Sequence, residues 1–158
     1  MRALPARNLL IINGHGGNRG VLENLLREFQ GDFALNACAI HPFDLAKADG
    51  APAVPDVHGG KHETSVMLAL APELVRTDLV PRFERDTETI KSLIIDRGVT
   101  WPWRTDDPRL AQDGVIGDAP AASAELGAAI VRSVVEEVRA VLVRLLENRS
   151  YPGGASSR

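Results

Sequence analysis

Leu9-Leu10-Ile11-Ile12-Asn13-Gly14-His15-Gly16-Gly17-Asn18 is the stretch on which the fold turns. Four consecutive apolar residues running straight into Asn-Gly form the pattern of a parallel strand covered on both faces, and the spacing predicts a central strand from Leu9 to Ile12. Beyond the glycine-rich turn, Val21, Leu22, Leu25, Leu26 and Phe29 recur at helical spacing, with Asn18 placed to cap the first turn and Gly31 to end the helix. The apolar segment from Phe33 to Ile40 then reads as a second strand. It would return beside the first through a right-handed crossover and end at His41-Pro42.

Composition bounds what such a chain does. The 158 residues fall in the range of one domain, with 44% hydrophobic and 25% charged residues mixed along most of the length. The formal net charge is -3, and the basic residues form no stripe that would follow a phosphate backbone, so nucleic acid is excluded as the expected partner. Cys38 is the only cysteine, which rules out an intrachain disulfide and reads as a small core residue. The N-terminal residues lead into an apolar run too short for a signal segment or a membrane span, so a cytoplasmic protein with no membrane contact is expected.

Farther along, the prolines at 42, 52 and 55 with Gly50 mark residues 42–57 as a loop. Val66, Met67, Leu70 and Leu74 suggest a helix that Pro72 ends or bends. Residues 77–97 suggest a short strand at Leu79-Val80 and a weak helix over Glu88 to Ile95. Trp101-Pro102-Trp103 and Gly114-Val115-Ile116-Gly117-Asp118 sit in loops. The strongest period lies on Leu126, Ile130, Val134, Val138, Leu142 and Leu145, which predicts a long helix from Ser123 to Asn148 covering the sheet. Residues 1–150 are therefore expected to form one α/β domain, and 151–158 a disordered tail.

Two polar clusters carry the chemistry. The first places His15 where a parallel strand gives way to a helix, which is where open α/β sheets put their ligands. Gly16 and Gly17 leave room around the imidazole, and Asn13 and Asn18 stand ready to orient a ligand or a substrate carbonyl. A histidine there also serves simply to cap the helix or to bond a carbonyl. A phosphate cradle fits less well: Gly14 and Gly16 match the dinucleotide fingerprint, but its third glycine falls on Arg19 and no Gly-Lys-Ser/Thr follows. The second cluster, His58-Gly59-Gly60-Lys61-His62-Glu63-Thr64-Ser65, opens a helix. Imidazole and carboxylate together suit a divalent metal, although a Glu at a helix start is also favoured by the helix dipole. His62 is a further candidate, but its side chain would point away from that of Glu63.

Together these segments resemble the creatininase family of metal-dependent amidohydrolases. Asn13-Gly14-His15-Gly16-Gly17-Asn18 matches the family's Asn-Gly-His-Gly-Gly-Asn string residue for residue. His58-Gly59-Gly60-Lys61-His62-Glu63-Thr64-Ser65 is similar to His-Ala-Gly-Glu-x-Glu-Thr-Ser, with Gly59 and Lys61 as departures. Gly114-Val115-Ile116-Gly117-Asp118-Ala119-Pro120 and Ala124-Glu125-Leu126-Gly127 resemble the segments near the family's end.

The resemblance implies a three-layer α/β/α domain with a mainly parallel sheet. It also implies a centre of two divalent ions, commonly zinc or manganese, whose bridging water attacks an amide carbon. His15 and Glu63 would be metal ligands, and His58 a proton donor to the leaving nitrogen or a support for a ligand. Asn13, Asn18, Gly16 and Gly17 would face the substrate, a small molecule with a cyclic, formyl or similar amide.

The family's upstream Glu-Gln-His-Gly segment and following Asp do not occur here, so the resemblance covers only the C-terminal portion of the family domain. That predicts either a homo-oligomer or a second chain supplying the rest of the site, since two protein ligands are too few for a pair of ions. The competing expectation is a non-catalytic fragment or assembly subunit that keeps the fold. A nucleotide-binding module built on the glycine turn stands third.

Overall fold

A computed structural model describes residues 7–33, 35–47, 55–82, 86–94, 98–99 and 101–147. The expected tail at 151–158 lies outside them. The chain divides into two compact units, Met1–Ala46 with Ser133–Arg158, and Lys47–Arg132.

The first unit is the strand-helix-strand motif. Strand β1 (Asn8–Ile12) pairs in parallel with β2 (Asn36–Ile40), in a register that sets Leu10 against Cys38, and helix α1 (Arg19–Phe33) connects them. The α/β class and the parallel sheet are as expected, but two boundaries differ. Helix α1 runs through Gly31 to Phe33, where the Phe29 and Phe33 rings meet one turn apart with centroids 6.3 Å apart. An aromatic pair at this spacing holds a last turn that a single glycine only weakens. Consequently β2 starts at Asn36, three residues later than predicted.

Among the described residues β1 has one neighbouring strand, β2, where the reading of a central strand expects two. Leu9, Leu10 and Ile11 are half-buried and Ile12 is 64% exposed. The apolar run signals a strand correctly, but two-sided burial also requires neighbours on both edges and both faces.

A short helix, α2 (Pro42–Leu45), opens the predicted loop, since proline is suited to the first turn of a helix. The last turns of α5 (Ala124–Glu147) lie along β2: the Asn36 amide donates to the Leu145 carbonyl at 2.5 Å, and Leu145 is buried. Of the predicted apolar stripe, Ile130 and Leu145 are buried and Leu126, Val134 and Val138 half-buried, whereas Leu142 is exposed; Arg132, Glu136, Arg139 and Arg144 face solvent.

The second unit is irregular and holds the best-buried apolar cluster. Ile90 on α4 (Thr87–Ile94) packs with Leu110, Ala111 and Ile116, and Val57 and Leu93 lie against them. Helix α3 (Lys61–Leu70) ends before Pro72, as the sequence requires, and a single 3-10 turn follows at Pro72–Leu74. Leu79-Val80 does not form the expected strand. Thr77–Leu79 is a 3-10 turn closed by the Leu79 N–H on the Arg76 carbonyl, and Pro81 removes the next donor that a strand would use. No helix among the described residues is long and apolar enough to cross a membrane.

Candidate active site

Asn13 organises the first cluster. It is 6% exposed, and its backbone N–H extends the sheet by donating to the Ile40 carbonyl at 2.9 Å. Its side-chain oxygen accepts the His15 backbone N–H at 3.2 Å and the Asn18 amide at 3.3 Å. Those two donors fix which end of the amide is oxygen, so Nδ2 faces His41 and donates to its Nδ1 at 2.9 Å. His41 is thereby held with Nδ1 as acceptor and its proton on Nε2. Asn18 turns back to Asn13 instead of capping α1, and a 3-10 turn at Gly16–Asn18 leads into the helix.

His15 is exposed at the start of that turn, in extended backbone. A Cβ added at Gly17 would stand 2.7 Å from His15 Nε2. Glycine at this position therefore keeps the ring's outer nitrogen clear, which is the room around the imidazole that the sequence reading expects of Gly17. Cys38 on β2 is half-buried, and burial pushes its thiol above the ordinary range, with Arg144 opposing weakly. That favours the inert thiol over a thiolate nucleophile.

In the second unit, three of the family-like segments interlock. His58 and Ile116 form an antiparallel bridge, with the His58 N–H on the Ile116 carbonyl at 3.0 Å and the return bond at 2.8 Å. The first turn of α5 meets α3 backbone to backbone. A Cβ on Gly127 would overlap the Ser65 carbonyl, and the fully buried Ser65 hydroxyl accepts the Ser123 N–H at 3.0 Å. Ser123 in turn caps α5 by accepting the Leu126 N–H at 3.1 Å.

Glu63, in the first turn of α3, reaches back so that Oε2 accepts the Gly59 N–H at 2.5 Å, and Thr64 donates its hydroxyl to the Gly59 carbonyl at 3.0 Å. The glutamate thus bonds the backbone just before the helix start, where the helix dipole also favours a carboxylate. Oε1 has no hydrogen bond among the described residues. The carboxylate stands on the wall of a cavity of about 350 Å³, shared with Thr64, Met67, Leu74, Leu79 and Val115.

His62 turns to Asp56, which takes its Nδ1 at 2.5 Å and its backbone N–H at 2.8 Å. The divergence of His62 from Glu63 follows the sequence reading, while Asp56 was missed, because a lone acidic residue in a proline-rich loop carries no periodic signal. The His58 imidazole is half-buried and has no hydrogen bond among the described residues.

Within the two units, then, Asn13, His15, Gly16, Gly17 and Asn18 stand together in the first, and His58 and Glu63 in the second. Among the described residues no three His, Cys, Asp or Glu side chains are grouped to hold a metal. Each donor, in its own unit, suits a divalent ion as a single contributor: an imidazole whose Nε2 glycine keeps clear in the first, and a carboxylate with an uncommitted oxygen in the second.

Comparison with known proteins gives these features a context. The profile of a family described as creatininase, creatinine amidohydrolase, matches residues 2–142. A mycofactocin precursor peptide peptidase of Mycobacterium tuberculosis (strain CDC 1551 / Oshkosh) is 31% identical over 135 residues, covering 84% of this chain and 46% of that protein. A Bacteroides fragilis structure described as a creatinine amidohydrolase superposes with a TM-score of 0.65 at 29% identity, over 88% of this chain and 54% of that one. A creatininase structure named with Mn gives 0.62 at 25% identity, over 93% and 58%. The chain spans about half the length of the curated relatives it matches.

Proposed function

This chain belongs to the creatininase family, and from that premise we propose that it contributes His15, Glu63 and His58 to the site of a metal-dependent amidohydrolase that cuts a C–N bond other than an ordinary peptide bond. The observation that carries the reading is the interlocking of the His58–Ser65, Gly114–Asp118 and Ala124–Gly127 segments through the His58–Ile116 bridge and the Gly127–Ser65 contact. Segments far apart in sequence are built around one turn that presents a histidine and a glutamate.

In this reading His15 ligates one divalent ion through its imidazole and Glu63 another through its carboxylate, zinc or manganese in each case. A bound divalent ion supplies Lewis acidity toward an amide carbonyl and makes water a stronger acid. The chain's own residues do the rest. Asn13 holds the turn that presents His15, Gly16 and Gly17 keep the approach to it open, and Asn18, whose amide nitrogen is bonded to Asn13, has its side-chain oxygen left for the substrate. His58, with no hydrogen bond to tie its ring among the described residues, donates a proton to the departing nitrogen. The substrate in this reading is a small amide.

The test is metal content and turnover. With zinc or manganese loaded, His15→Ala and Glu63→Ala should each reduce hydrolysis of a panel of creatinine, a formyl amide and a short peptide by about a thousandfold or more, as expected when an interaction essential to the transition state is lost. Far-ultraviolet circular dichroism should stay unchanged. Full turnover in either variant would refute its assignment as a ligand. The second reading, a non-catalytic assembly subunit, is favoured by the lack of any three grouped donors among the described residues. It predicts that the wild-type chain neither retains metal nor turns over any member of the panel.

A further inference from the structure

The least explained polar group in the second unit is the Asp56 carboxylate. Its side chain is only 8% exposed, yet a single oxygen does all its bonding: Oδ2 accepts both the backbone N–H and the Nδ1–H of His62. The other oxygen, Oδ1, is buried with no hydrogen-bond partner in the structure. It lies where a side chain on Gly60 or Gly117 would begin, and a Cβ built on Gly60 would overlap it. Leaving half of a carboxylate buried and unsatisfied costs free energy, so its position calls for a compensating role.

What this carboxylate touches supplies the role. Asp56 precedes His58 by two residues, its bonds run to His62 next to Glu63, and its unbonded oxygen packs between the backbones of Gly60 and Gly117. Gly117 follows the residue that bridges to His58. One side chain therefore holds the turn between His58 and Glu63 at two points, Gly60 in its middle and His62 beside Glu63. We propose that Asp56 is the positioning residue of the site: through His62 and the two glycines it sets where His58 and the Glu63 carboxylate stand. This rests on the roles given above to Glu63 and His58, but the placement it asserts is readable without them. The Gly59 N–H to Glu63 Oε2 bond of 2.5 Å reports directly on whether the turn is held.

The experiment measures two things on the full chain: amide hydrogen exchange at Gly59, and affinity for Zn²⁺ added alone. In Asp56→Ala, Gly59 exchange should accelerate by about tenfold or more while the amide of Ile130 in α5 keeps its wild-type rate, which separates local release from general destabilisation. Zn²⁺ affinity should fall by roughly ten- to a hundredfold, the usual effect of losing a partner that orients a ligand. Asp56→Glu should not rescue either readout, since the longer chain cannot fit against Gly60. His62→Leu keeps Asp56 and removes one of its two bonds, and should give a smaller acceleration at Gly59, so the proposal stays testable even where Asp56→Ala does not fold. Wild-type exchange at Gly59 in Asp56→Ala or in His62→Leu would overturn the positioning role. Unchanged Zn²⁺ affinity in Glu63→Ala would instead defeat the ligand assignment, while the Gly59 readout would still decide for or against Asp56.

Discussion

The two units are built in opposite ways. The first, with β1, α1 and β2, consists almost entirely of regular elements, but few of its residues are fully buried; Ile40, Leu145 and the polar Asn13 are the deepest. The second is mostly loops and single turns, yet Ile90, Leu110, Ile116 and Ser65 are at most 1% exposed. Regularity and burial have separated. The regular unit holds the exposed His15, and the irregular unit grips the turn of His58 and Glu63. Repeating backbone hydrogen bonds suffice to shape a strand-turn-helix, whereas placing side chains in a loop requires close packing from several directions.

Substitutions that exploit this contrast should rank accordingly. Ile116→Ala removes a fully buried side chain from the centre of the irregular unit and should cost about 2–5 kcal/mol in chemical denaturation. A cost below about 1 kcal/mol would show that the loops do not depend on that cluster. Gly127→Ala places a methyl group against the Ser65 carbonyl, with neither backbone free to move, and should cost about 1–3 kcal/mol or more. Ile12→Thr, at a 64% exposed position in the regular unit, should change stability by no more than about 0.5 kcal/mol. A large loss there would mean that β1 is covered in solution.

The smallest effect concerns the turn that carries Leu110. Asp107 accepts the Arg109 guanidinium and backbone N–H, and these bonds pull its carboxyl down to about 2. A depressed folded value means that the contribution is present above the ordinary carboxylate range, near 4, and is lost as pH falls through about 2. Titration followed by NMR should find that midpoint in the wild type and a rise toward the ordinary range in Arg109→Ala, incomplete because the backbone N–H of residue 109 still bonds the carboxylate.

The same contrast explains what could be read in advance. β1, α1, β2 and α5 announce themselves because each repeats a period over several residues. The His58–Ile116 bridge pairs one residue with one residue and leaves no period, and only the resemblance of both segments to one family joined them before the structure did. Asp56 stayed hidden because its meaning lies in Gly60, His62 and Gly117, not in its neighbours. Leu79-Val80 was misread as a strand because two adjacent apolar residues carry no direction. The helix end at Gly31 was misplaced because the aromatic contact between Phe29 and Phe33 outweighs a local propensity. The site divides likewise: the identities of His15, His58 and Glu63 were legible from their motifs, whereas the fixed Asn13 amide and the His41 tautomer require coordinates.

The glycine pair beneath Asp56 also orders the routes by which this chain can diversify. An alanine at position 60 is blocked first by the Asp56 carboxylate, with the Gly117 Cα next at 3.0 Å, so it becomes accessible only after position 56 has become smaller. At position 117 an added Cβ meets the same Asp56 oxygen at 2.5 Å and also the Gly60 Cα at 2.8 Å, and no earlier change of side chain removes the second. A library that randomises these three codons together should recover survivors along that single historical order, with 117 the last to vary.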